Sequence, residues 1–289
     1  MRTGVVYPQI ELGGDVGAVK AFAQAAEDLG YDHLLVYDHV LGAEHAGREP
    51  ALTGPYTESD PFHEPLVMFG YLAGITERIE LVTGVIILPQ RQTALVAKQA
   101  ADVDLYSGGR LRLGVGVGWN WVEYEALEVG DYWGRRGARQ ADQVELMRKL
   151  WSGELVEHTD TDHAVVRAKL FPAPKRQIPV WFGGFSTPAY DRAARIGDGF
   201  IFSGRQLDVA VEAKERIETT RAEIGREDAF GFESIMPYTN GSDRWFADLE
   251  RWRQAGGSHA SVVTMGAGLT TVDEHIDAIE SWHSAAASA

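Results

Sequence analysis

Short apolar runs alternate along this chain with stretches whose apolar residues recur at helical spacing. The runs cover 3–10 (TGVVYPQI), 33–40 (HLLVYDHV), 80–89 (ELVTGVIILP), 111–118 (LRLGVGVG), 179–185 (PVWFGGF), 199–204 (GFIFSG), 231–239 (GFESIMPYT) and 260–266 (ASVVTMG). Their length and β-branched, aromatic content predict strands. Between them, segments 19–30, 93–109, 139–151, 207–225 and 272–282 carry apolar residues at i, i+3, i+4 and i+7, which predicts helices with one buried face. Gly30, Gly108 and Gly225 close three of these, where a left-handed cap favours glycine. Strict alternation implies parallel strands joined by crossover helices, and eight such units imply a (β/α)8 TIM barrel, α/β in class and a single domain over 1–289. The runner-up is an open doubly wound sheet. Its G-x-G-x-x-G turn is missing, because GVGVGW places glycines at 114, 116 and 118, every second position. That spacing strips side chains from one face of a strand, which suits either a flat ligand or tight packing inside a barrel. Gly84, inside the third strand, raises the same choice between a local kink and a close approach.

Three connections are too long to be plain turns: 41–61 after the second strand, 119–137 after the fourth, and 152–178 after the fourth helix. The first two leave the C-terminal ends of strands, where barrel enzymes build their sites, and are assigned to the pocket wall. The third contains Glu157, His158, Asp160, Asp162 and His163, residue types that ligate metals. It follows a helix, so it starts from the opposite face of the barrel, and the expectation is a solvated hairpin without metal.

Charge and composition narrow the function. Lys and Arg total 27 against 42 Asp and Glu, a formal charge of −15, which argues against nucleic acid or an anionic membrane as partner. Any phosphate must therefore be held locally. The absence of cysteine removes disulfides, thiolate nucleophiles and Cys-bound metals. The N-terminal stretch has no signal-peptide pattern and no apolar run reaches membrane-spanning length, so a cytoplasmic protein is expected. All six lysines fall in predicted helices or in the 152–178 insertion, which leaves no strand with a Schiff-base amine. The strand ends offer instead Asp38 and His39, glycines at 84, 116, 118, 183 and 184, Trp119 to Glu123, and Ser203 to Arg205. Aromatic walls, glycine floors and few charges describe a site for a large planar cofactor and a small-molecule substrate.

In order and spacing, YDHV, TGVIILPQR, GRLRLGVGVGWNWVEYEALEVG and PVWFGGFSTPAYDRAARIGDGFI resemble the luciferase-like monooxygenase superfamily across essentially the whole chain, and in particular its coenzyme F420-dependent branch. The resemblance implies a barrel with an extra insertion, binding F420 or FMN at the C-terminal ends of its strands. It implies a non-prolyl cis bond at Gly84–Val85, bulging toward the cofactor's central ring. It also implies cofactor contacts from Asp38, Gly84, Val85, Gly116, Gly118, Asn120, Gly183, Gly184, Phe185, Thr187, Ser203 and Gly204. Thr187 is expected to cap the helix after the fifth strand, with Pro188 as its first residue, so that the helix N-terminus receives the cofactor phosphate.

For catalysis, Asp38 is expected to meet the polar edge of the cofactor and His39 to polarise the substrate or move its proton, with Glu123 as a second proton-handling group. His39, Trp119 and Arg205 are assigned to the substrate. For Trp119 and Trp121 packing under the loop is the alternative, and for Arg205 a surface ion pair. Three functions follow: an F420-dependent oxidoreductase transferring a hydride, an FMN-dependent monooxygenase fed by a flavin reductase partner, and a non-catalytic flavin-binding relative. A homodimer is compatible with the apolar outer helices.

Overall fold

The structure is a computed structural model that describes residues 1–204 and 206–287. In chain order the strands are β1 (Arg2–Val6), β2 (His33–Val36), β3 (Glu80–Thr83), β4 (Ile86–Ile87), β5 (Leu111–Gly116), β6 (Val156–Thr159), β7 (Ala164–Ala168), β8 (Val180–Gly183), β9 (Gly199–Phe202), β10 (Gly231–Pro237) and β11 (His259–Val263). The helices are α1 (Gln9–Leu12), α2 (Val16–Asp28), α3 (Pro65–Ala73), α4 (Thr93–Tyr106), α5 (Trp121–Ala126), α6 (Arg136–Leu150), α7 (Thr187–Ile196), α8 (Leu207–Glu223), α9 (Ser242–Gln254) and α10 (Val272–Ala287). Parallel pairing runs β1–β2–β3–β5–β8–β9–β10–β11 and closes from β11 onto β1, with β4 continuing β3 after a break. This is the closed (β/α)8 barrel expected from the alternation. Gly30, Gly108 and Gly225 do end helices, at φ of +88°, +70° and +69°.

Two cores result. Between barrel and helices lies the larger one, where Phe22, Phe69, Leu72, Met147, Trp252 and Trp282 are wholly or almost wholly buried. Each such side chain contributes roughly 1.5–3 kcal/mol of transfer free energy. Inside the barrel, Val6, Leu35, Val82, Trp181, Ile201 and Ile235 form a smaller cluster. Below it, toward the N-terminal ends of the strands, the interior is charged. Glu233 accepts from His33 (2.6 Å) and from Arg112 (2.7 Å), and the Arg112 guanidinium lies 4.1 Å from the Trp181 ring centre. These charges are buried but mutually paired, which offsets much of their desolvation.

The insertions differ in kind. Residues 37–64 carry no helix or strand, whereas the segment after β5 is largely helical, holding α5 and a 3-10 turn at Gly130–Arg135. Strands β6 and β7 form an antiparallel hairpin. It leaves from the far end of α6 but folds back along that helix. Its tip meets the N-terminal ends of α4 and α6, through a 2.6 Å bond between His163 and Thr93 and ion pairs from Asp162 to Arg135 and Arg139. Among the described residues, no helix is long and apolar enough to cross a membrane.

Candidate active site

The floor of the site is the break in the third barrel strand. The Gly84–Val85 peptide is cis, as the resemblance implied, and β4 then resumes pairing with β5 at Ile86–Val115 and Ile87–Gly116. The neighbouring glycines make room for it. A Cβ on Gly116 would stand 2.4 Å from Val85 Cγ2, one on Gly183 2.8 Å from Val85 Cγ1, and one on Gly118 2.8 Å from Ile87 Cγ2. The chain's own Val85 and Ile87 thus pack tightly into the space beside Gly116, Gly118 and Gly183. Val85, Tyr37, Val263 and Met265 cap the inner cluster while staying half-exposed, which makes an apolar floor at the C-terminal ends of the strands.

Asp38 lies beside this bulge, only 3% exposed. Its Oδ2 accepts from the Ile87 N–H (2.8 Å) and its Oδ1 from Arg91 (2.6 Å), and Arg91 also pairs with Glu64 (3.1 Å). Both oxygens are thus committed to protein partners, and Asp38 holds the chain that follows Val85.

One residue further on, His39 reaches the open side of the strand end. Its Nδ1 lies 3.1 Å from Glu123 Oε2, and its ring stands edge-on to Phe62, Tyr56 and Trp119 at 4.8, 5.5 and 5.5 Å. Glu123, 1% exposed, also accepts the N–H groups of Val40 (2.8 Å) and Leu41 (3.1 Å) on Oε1. Burial pushes the Glu123 carboxyl up, but the hydrogen bond and charge of His39 and the two backbone donors outweigh it and hold the group below the usual carboxylate range. An ionised Glu123 only accepts, so Nδ1 carries a proton in either charge state of His39, and in the neutral imidazole Nε2 is left for a ligand. Asn120 caps α5, its Oδ1 accepting the Val122 N–H (3.1 Å).

Across the ring, β8 ends in Gly183 and Gly184, followed by exposed Phe185. Helix α7 begins at Thr187, so its N-cap is Ser186, one position before the residue expected, and no side chain caps its first turn. Gly184 has φ of +151° and lies so close to α7 that a Cβ would meet Ala189 Cβ at 2.9 Å. Ser203, after β9, hydrogen-bonds the Tyr37 phenol, which burial raises to about 12 against that bond. Gly204 turns the chain at φ of +62° beside a cavity of about 510 Å3 that runs under Gln206, Ser234 and Arg244. Arg205 lies outside the described residues.

Sequence reasoning had marked His39, Glu123 and Trp119, and the fold brings them together. It passed over Tyr37, Tyr56, Phe62, Arg91 and Met265. Tyr37, Arg91 and Met265 lie in or beside predicted strands; Tyr56 and Phe62 come from the irregular 37–64 segment, whose partners are tertiary.

A half-exposed apolar floor suits a flat ring system, and an uncapped helix start beside two glycines suits an anionic tail. With a buried carboxylate–imidazole pair at the edge, the fold and site define a barrel oxidoreductase working through a flavin or deazaflavin. Residues 2–242 match the luciferase-like monooxygenase family, and the chain belongs to it. An F420-dependent glucose-6-phosphate dehydrogenase of Amycolatopsis mediterranei is 27% identical over 219 residues, 71% of this chain and 61% of the relative. In fold, the chain is similar to monooxygenase RslO1 of Streptomyces bottropensis (TM-score 0.81, 17% identity, 98% of each chain). It is similar too to an F420-dependent secondary alcohol dehydrogenase solved with an F420–acetone adduct (TM-score 0.79, 17% identity, 99% and 98% of the two chains).

Proposed function

We propose that this protein binds coenzyme F420 at the mouth of the barrel and exchanges a hydride between it and a small organic substrate bearing an alcohol or carbonyl. The observation that carries the reading is the His39–Glu123 pair beside the apolar floor of Val85, Tyr37, Val263 and Met265. When bound, the deazaflavin supplies a carbon centre that accepts or donates a hydride. The chain supplies the rest. Val85 and Tyr37 support the flat ring, with Asp38 and Arg91 keeping the bulge in place. Gly184 and the start of α7 hold the phosphate, with Ser203 and Gly204 at its flank.

At the substrate, His39 Nε2 takes the hydroxyl proton as an alcohol becomes a carbonyl, and returns it in the reverse direction. Glu123 stays ionised throughout, fixing the tautomer and stabilising the imidazolium that forms. Trp119, Tyr56 and Phe62 keep water from His39. The sequence relative that uses F420 supports the cofactor assignment. The test is a side-by-side titration of the purified protein with F420 and FMN, read by tryptophan fluorescence. Tighter binding of F420 is expected, with quenching of Trp119. Tighter binding of FMN, with oxygen uptake when reduced flavin is supplied, would overturn the assignment in favour of a reductase-fed monooxygenase.

A further inference from the structure

The β6–β7 hairpin brings together three side chains that the reaction does not use. His158 Nε2 lies 2.8 Å from Asp160 Oδ2, and His163 Nδ1 lies 2.9 Å from the same oxygen. The three donor atoms all fall within 4.8 Å of one another. Asp160 is oriented before any ligand arrives, because its Oδ1 accepts the backbone N–H groups of Asp162 (2.7 Å) and His163 (2.8 Å). Oδ2 is turned toward both imidazoles, and His163 Nδ1 lies equally 2.9 Å from Oδ1. We propose that His158, Asp160 and His163 bind a divalent transition-metal ion of the zinc type, which fastens the hairpin tip to the rim of the active site.

Two imidazoles and a carboxylate are a common zinc donor set, with ligand distances of about 2.0–2.2 Å and a fourth position left for water. Tetrahedral donors at that distance stand roughly 3.4 Å apart, so the Asp160–histidine separations of 2.8 and 2.9 Å need to open only slightly. The second shell is in place for one histidine. With Nδ1 on the ion, His163 Nε2–H points at Thr93 Oγ1, 2.6 Å away. Thr93 is the first residue of α4 and is also bonded by Gln143, whose amide reaches the Leu88 and Arg91 carbonyls just beyond the Val85 bulge.

The surroundings favour a cation. Asp160 and Asp162 stand together at the tip, and the two nearby arginines, Arg135 and Arg139, are paired to Asp162. One contact opposes the ion: Lys149 Nζ lies 3.1 Å from His158 Nδ1, the atom that must carry a proton once Nε2 is ligated. Lys149 already has a second partner in Glu145 at 2.6 Å, to which it can retire.

Calorimetric titration of the chelator-stripped protein with zinc chloride should give one saturable site per chain. Asp160→Asn retains an oxygen for the two backbone N–H groups but loses the charge, and is expected to weaken zinc at least about 10-fold, as is His158→Ala. Lys149→Met should tighten it several-fold. Circular dichroism unchanged from the parent excludes misfolding, and hydrogen exchange on the parent should show zinc slowing the amides of 156–168 and of the first turn of α4. Absence of saturable binding, or zinc binding equally tight in Asp160→Asn and His158→Ala, refutes the site. Protection elsewhere but not in the hairpin and α4 refutes the fastening.

Discussion

His39 is held by one nitrogen and left open at the other, and the two atoms carry different predictions. His39→Ala removes the proton acceptor while the floor stays intact. Cofactor affinity should stay within a few-fold, and turnover should fall by about 10²–10⁴, the range for a lost general acid or base. Glu123→Gln acts one atom further away: its amide cannot hold a positive imidazole and presents N–H₂ or C=O to Nδ1 in either tautomer. Turnover should fall at least about 10-fold with KM nearly unchanged, which a purely structural role would not produce. Steady-state kinetics of both variants check this. Each residue was visible in the sequence, but their pairing was not, because 84 positions separate them. What the sequence did not show for Asp38 is its protein partners, the Ile87 N–H and Arg91, which lie 49 and 53 positions further along the chain.

At the level of elements, the barrel strands were legible because each is a short apolar run bounded by polar or glycine residues. Helix α3 was not, since PLVMFGYLA is apolar almost throughout and shows no periodic face; α5, six residues long, is too brief for periodicity to register. The glycines were seen, but not what fills them, because Val85 reaches Gly116 and Gly183 from a different strand. That contact makes a specific prediction. Gly183→Ala adds a methyl 2.8 Å from Val85 Cγ1, so Val85 must move. The change should cost about 1–3 kcal/mol of stability and weaken cofactor binding. Val85→Ala in the same chain should restore much of the stability, a coupling that a double-mutant cycle in urea measures directly. Purely additive effects would show that the two side chains do not compete for space.

Across the whole molecule, buried titratable groups set how stability depends on pH. Burial lowers His275 to about 4, and burial together with the Arg112 charge lowers His259 to about 3, against an ordinary value of 6.5. The unfolded chain therefore takes up these protons at a higher pH than the native one. Stability is greatest above the ordinary histidine range and falls as pH drops from 6.5 toward those native values. Glu123, depressed relative to its unfolded state, adds to the loss only at lower pH, once the ordinary carboxylate range is passed. The urea midpoint should drop between neutral and mildly acid pH. In His275→Asn the drop should be shallower, although the variant starts from a lower midpoint because a buried partner of Thr264 has changed. An equally steep drop would remove His275 from the account. The two walls of the mouth, drawn from 37–64 and 117–135, are bound to each other at several places besides the His39–Glu123 pair: Glu123 to the Val40 and Leu41 N–H groups, Asn120 to the Leu41 carbonyl at 3.5 Å, and the Trp119 ring laid so close over Gly54 that a Cβ there would stand 2.2 Å from it. Moving either wall away from the other must break these contacts, so the amides of both segments are expected to exchange with solvent at one shared rate, and two separate rates would show that the walls open independently.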